Sequence, residues 1–139
     1  MQRASAILAA AILGTAGPAL GDGLEMEPGK WEFRTTSSMP TAPRPMEFVD
    51  TRCVTPADTK PETFMKDASQ CQVTSIETSA RLMRWKVTCQ NPTGPVVGEG
   101  EARSTGKTVR TTMKTSLEVD GQRVTMETLS EGRWLGPCD

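Results

Sequence analysis

The chain has no histidine and no tyrosine, and only three tryptophans and three phenylalanines among 139 residues. Without histidine there is no Ser-His or Cys-His nucleophile and no histidine-bearing zinc site, and without tyrosine there is no phenolic acid or nucleophile. An excess of one charge is also lacking. The 16 Lys and Arg stand against 17 Asp and Glu, interspersed and without a basic run, so no nucleic-acid partner is expected. No metal site and no cofactor is expected either. The methionines, the only soft ligands left once the cysteines are bridged, never occur as M-x-M or M-x-x-M pairs.

What is present begins with an export signal. Arg3 supplies the positive start, Ala6 to Ala16 is an apolar run broken only by Gly14 and Thr15, and Ala19-Leu20-Gly21 places small residues before a cut at Asp22. The run is too short to span a bilayer, and no cysteine follows it until Cys53, so neither stable membrane insertion nor a lipid anchor is expected. Residues 1–21 are therefore read as a signal peptide and 22–139 as one domain, located in the periplasm or secreted. Removing Arg3 leaves 15 basic and 17 acidic residues, a net charge of −2.

The four cysteines, Cys53, Cys71, Cys89 and Cys138, contain no C-x-x-C pair, and in an oxidising compartment they read as two disulfides. Three connectivities are available. A hairpin centred on Ala80 would set Cys71 opposite Cys89 on one face, which favours that link and leaves Cys53 to join Cys138. Cys53 with Cys71 and Cys89 with Cys138 remains the alternative.

Period-two alternation dominates the rest and marks strands. Trp31 and Phe33 alternate with Glu32 and Arg34. A proline-rich loop spans 37–45, and Met46 to Val54 resumes a strand in which adjacent Phe48 and Val49 suggest a bulge or two-sided burial. Thr55-Pro56-Ala57-Asp58 has the form of a helix start, predicting one or two turns before Phe64 and Met65 pack inward. Residues 71–79 and 82–90 form the hairpin, and Val96–Arg103, Lys107–Val119 and Gln122–Trp134 form three further strands. Asp120-Gly121 is a hairpin turn whose register sets Glu118 against Arg123 and Lys114 against Glu127. The predicted fold is all-β and mainly antiparallel: a disulfide-stapled meander barrel or strongly bent sheet of about seven strands with one short helix. The proline-rich loop and the helix are expected to cover one end.

The candidate ligand face is drawn from Trp85, Met83, Met113, Met126, Gly98 and Gly100. Gly98 and Gly100 alternate on one strand face and leave room that a tryptophan of the same protein or a ligand must occupy, and Met and Thr mix where a dry core prefers Leu, Ile and Val. Glu99 and Glu101, two apart on the opposite face, are the one carboxylate pair with glycosidase-like placement, and they read first as a solvated stripe. No catalytic residue is assigned.

Six pieces occur in order: Pro28-Gly29-Lys30-Trp31-Glu32, Cys53-Val54-Thr55-Pro56, Cys71-Gln72-Val73, Trp85-Lys86-Val87-Thr88-Cys89, Gly98-Glu99-Gly100 and Gly136-Pro137-Cys138. Together with the four cysteines they resemble a family of small exported proteins of Gram-negative bacteria, domain of unknown function 3617, over nearly the whole mature chain. At the hairpin tip, where that family often has Ser-Gly-Asn, this chain has Ser79-Ala80-Arg81. The resemblance implies export and a shared fold and brings no activity or site residues with it. Two functions remain. One is a non-enzymatic binding domain for a small apolar ligand or an extended peptide. The other is an envelope scaffold or protein-interaction module with a filled core, whose partner would be an envelope protein.

Overall fold

The alternation written in the sequence becomes seven strands: β1 (Gly29–Ser38), β2 (Met46–Val54), β3 (Cys71–Thr78), β4 (Leu82–Cys89), β5 (Val96–Ser104), β6 (Thr108–Val119) and β7 (Gln122–Gly136). They are seen in a computed structural model that describes residues 23–59 and 70–139. The signal peptide and the inward packing expected of Phe64 and Met65 lie outside the described residues.

All seven strands belong to one antiparallel sheet in the order β2-β1-β7-β6-β5-β4-β3. Strands β3 to β7 form a meander, because each is joined to its neighbour by a short local connection. Strand β1 then pairs with the last strand, and β2 with β1. This leaves β2 and β3 as opposite edges that do not pair, so the sheet is strongly bent and open. The barrel alternative is not realised. Closure needs a hydrogen-bonded partner for each edge, and β3 is interrupted by a register shift between Val73 and Ser75 that blunts its edge.

The turns follow their residues. Asp120 and Gly121 both take positive φ, 51° and 77°, as a two-residue type I′ hairpin requires, and β6 and β7 leave it with Val119 opposite Gln122, Glu118 opposite Arg123 and Lys114 opposite Glu127. Among the described residues the expected helix start forms a 3-10 turn, Pro56–Thr59. Asp58 accepts hydrogen bonds from the Thr55 amide at 2.7 Å and the Thr55 hydroxyl at 2.8 Å, which closes the turn at its start. Strand β2 pairs with β1 through nine consecutive residues without a bulge. The adjacency of Phe48 and Val49 therefore reflects an edge strand exposed on both faces, not the bulge or two-sided burial expected of it.

The core sits at one end of the inner face and is closed by residues 23–28. Leu24 packs with Met83 and Ala102, while Trp31, Val54 and Val109 form a second cluster that reaches from β2 to β6. Met26 packs against both clusters. Backbone bonds from Glu25 to Ala80 (2.8 Å) and from Glu27 to Gly106 (2.7 Å) hold this segment down, and the fully buried Trp31 donates its indole N–H to the Glu27 carbonyl at 2.8 Å. Among the described residues the covering element is thus 23–28, and the proline-rich loop expected in that role is largely exposed. Both disulfides adopt the favoured pairing, Cys71–Cys89 within the β3–β4 hairpin and Cys53–Cys138 between β2 and the C-terminus.

Candidate functional site

Directly opposed residues of an antiparallel sheet share a face, so the register orders the inner face into rows. One row crosses all seven strands: Met46, Ser37, Thr128, Met113, Gly100, Trp85 and Ile76. The next row away from the covered end runs Met126, Thr115, Gly98, Val87 and Val73. Five of the six candidate residues, Trp85, Met113, Met126, Gly98 and Gly100, therefore lie together on these two rows. The sixth, Met83, is one row nearer the covered end, buried under Leu24 in the core.

The glycines have different uses. A Cβ on Gly100 would collide with Cζ2 and Cε2 of Trp85 and lie 2.8 Å from its Cη2, so the indole lies flat across the glycine and fills its place. Gly132 on β7 receives Phe33 in the same way, with ring carbons Cε1 and Cδ1 at 2.6 and 2.8 Å. A Cβ on Gly98 would meet Met113 Cε, the end of a flexible side chain, and Val87 Cγ1, each at 3.0 Å. Two aromatic rings are thereby laid onto the sheet, and the space the glycines leave is taken by the protein's own side chains.

Sequence reasoning missed the edges. Met46 and Phe48 on β2 and Val73 and Ile76 on β3 project on the inner face from opposite sides of the sheet, and Phe48 and Ile76 are 53% and 47% exposed. Edge status depends on β1 pairing with β7, which no local pattern announces. The adjacent Phe48 and Val49 were the available signal. Between the edges runs a stripe of hydroxyls in which Thr35 is bonded to Ser130 (3.0 Å) and Ser37 to Thr128 (3.1 Å). No described element packs over this part of the face.

The opposite face is charged. Glu99 is paired with Lys86 at 2.9 Å, and Glu101 takes Arg84 at 2.8 Å and Arg103 at 2.6 Å. Hydrogen bonding to Lys86 lowers the pKa of Glu99, and hydrogen bonding to Arg84 and then Arg103 lowers that of Glu101. A glycosidic general acid needs the reverse shift. A shallow cleft of about 630 Å³ on this side is lined by Arg34, Arg103, Arg110 and Arg133 with Glu32 and Glu131. Three of its arginines are already engaged, Arg103 with Glu101, Arg110 with Glu131 and Arg133 with Glu32. Beyond the end closed by residues 23–28, the inner face is open among the described residues.

Residues 26–138 match the family model described as a protein of unknown function, DUF3617. No curated protein and no solved structure matches.

Proposed function

We propose that this chain, which belongs to the DUF3617 family, is an exported, non-enzymatic binding domain whose open inner face receives an apolar ligand. One observation carries the reading. Both edges of the bent sheet direct apolar side chains onto the same face, Phe48 and Met46 from β2 and Ile76 and Val73 from β3, over which no described element packs. Exposed apolar surface that flanks a continuous face costs solubility, and its usual explanation is a partner that covers it. The two disulfides favour an oxidising extracellular compartment and stabilise a domain whose core, among the described residues, sits at one end of its sheet. Export through residues 1–21 supplies that compartment.

The test is native mass spectrometry of the protein purified from its own periplasm, followed by a denaturing spectrum. The expected result is a bound mass that disappears on denaturation, with the chain four hydrogens lighter than its reduced form. A clean apo mass accompanied by a homo-oligomer would favour the scaffold reading, in which the exposed edge strand β2 pairs with another chain.

A further inference from the structure

We infer that the inner face takes the acyl chain of a membrane-derived lipid with an uncharged head, an inference that rests on the binding reading above. The two rows from Met46 to Ile76 and from Met126 to Val73 contain no ionisable residue. Among the described strand residues the nearest charges on this face are Asp50 and Arg52, on β2 toward the covered end, and the Arg52 guanidinium lies over the Phe33 ring at 4.6 Å. A charged ligand finds no partner on these rows.

Backbone chemistry separates a lipid from a peptide. The N–H and C=O groups of the inner strands are spent on lateral ladder bonds, so the face offers no main-chain partners to an extended peptide, which would go to an edge instead. A methylene chain needs none. Met46, Met113 and Met126 are unbranched and polarisable and can mould to such a chain, and Trp85, flat on Gly100, adds an aromatic floor. Along β6 the inner-face residues Met113, Thr115, Leu117 and Val119 extend away from the core for about 20 Å, at ~3.4 Å per residue. The hydroxyls of Ser37, Thr128 and Thr115 can each donate and accept, which suits the ester and glycerol oxygens of a neutral head.

The test uses the mature, oxidised protein and 1-monoacylglycerols of ten, twelve and fourteen carbons, each below its micelle concentration, read by tryptophan fluorescence. Neutral N-phenyl-1-naphthylamine is titrated in parallel. Affinity is expected to rise about fourfold per added methylene, the fold-change equivalent of ~0.8 kcal/mol for each buried CH₂. Phe48→Asp and Ile76→Asp alter exposed edge residues and are expected to weaken binding at least tenfold. Val49→Asp, on the opposite face of the same strand, is expected to leave it unchanged. Naphthylamine binding that responds to Phe48→Asp, without a chain-length dependence for the acylglycerols, would overturn the acyl inference and preserve the binding reading. Failure of both probes, or a dimeric mass in the absence of lipid, would overturn both. Chain-length dependence untouched by Phe48→Asp and Ile76→Asp would place the lipid elsewhere and overturn the assignment.

Discussion

Replacing Gly100 by alanine tests whether Trp85 is seated on the strand. The new methyl would occupy space held by Cζ2 and Cε2 of the indole, a rigid ring that cannot yield as a flexible side-chain end would. Trp85 must leave its place and turn toward the open face. Forcing an extra methyl into a filled position costs about 1–3 kcal/mol. Gly98→Ala, two residues away on the same strand and face, is the matched control. Its methyl meets, at 3.0 Å each, Met113 Cε, a flexible end that can move aside, and Val87 Cγ1 on a stiffer β-branched side chain, and removing a glycine from the unfolded chain favours folding by about 0.4–1 kcal/mol. That gain is common to both variants and cancels, so they should differ by the added clash at Gly100, roughly 1–3 kcal/mol, with Gly100→Ala the less stable. For a domain of this size each kcal/mol moves the melting temperature by about 4 °C. Urea unfolding of the oxidised proteins, followed by tryptophan emission, reads both stability and the exposure of Trp85. A double variant with Trp85→Leu should recover much of the Gly100→Ala loss, because the clash then has no ring to displace. Equal stability of the two alanine variants, with unchanged emission, would refute the seating.

Trp31→Ala removes a fully buried tryptophan and is expected to cost about 3–5 kcal/mol in the same unfolding assay. Replacing Cys71 and Cys89 together by alanine should cost about 3 kcal/mol, and replacing Cys53 and Cys138 about 4.5 kcal/mol, since the second link closes the longer loop. Equal losses in the two double variants would show that loop length does not set the difference. Glu101, its pKa lowered from the ordinary 4.5 chiefly by hydrogen bonding to Arg84, contributes stability that is fully present above pH 4.5 and is lost as the pH falls through its lowered folded value. Glu101→Gln should therefore flatten the acid limb of stability against pH, and an unaltered limb would contradict the ladder of pairs on that face.

Much of the sheet was legible because each of its local signals had one strong physical cause. Asp120-Gly121 specifies the type I′ turn, and the alternation on either side of it then fixes the β6–β7 register down to Lys114 and Glu127. The hairpin around Ala80 set Cys71 against Cys89, and the second disulfide followed by subtraction. Contacts distant in sequence were not legible. Nothing local in Trp31 and Phe33 says that β1 will pair with β7, and that pairing decides that β2 becomes an edge and the sheet stays open. The same fact turned Phe48 and Val49 from a suspected bulge into exposed edge residues. Five of the six candidate face residues share two rows because alternation preserves face. Met83 was sorted into the core by Leu24, whose place under the segment 23–28 has no periodic signature.

The most direct measurement is a methyl spectrum of the mature protein carrying ¹³C-methyl methionine, titrated with N-phenyl-1-naphthylamine, whose aromatic rings shift nearby methyl signals. The inner face places Met46 and Met113 on one row and Met126 on the next, Met83 beneath Leu24, and Met39 in the loop beyond β1. Saturable shifts at Met46, Met113 and Met126, with Met83 and Met39 unmoved, are the expected result. Shifts at Met39 with none at Met113 and Met126, or no saturable shift at any methionine, would contradict ligand binding on the open inner face.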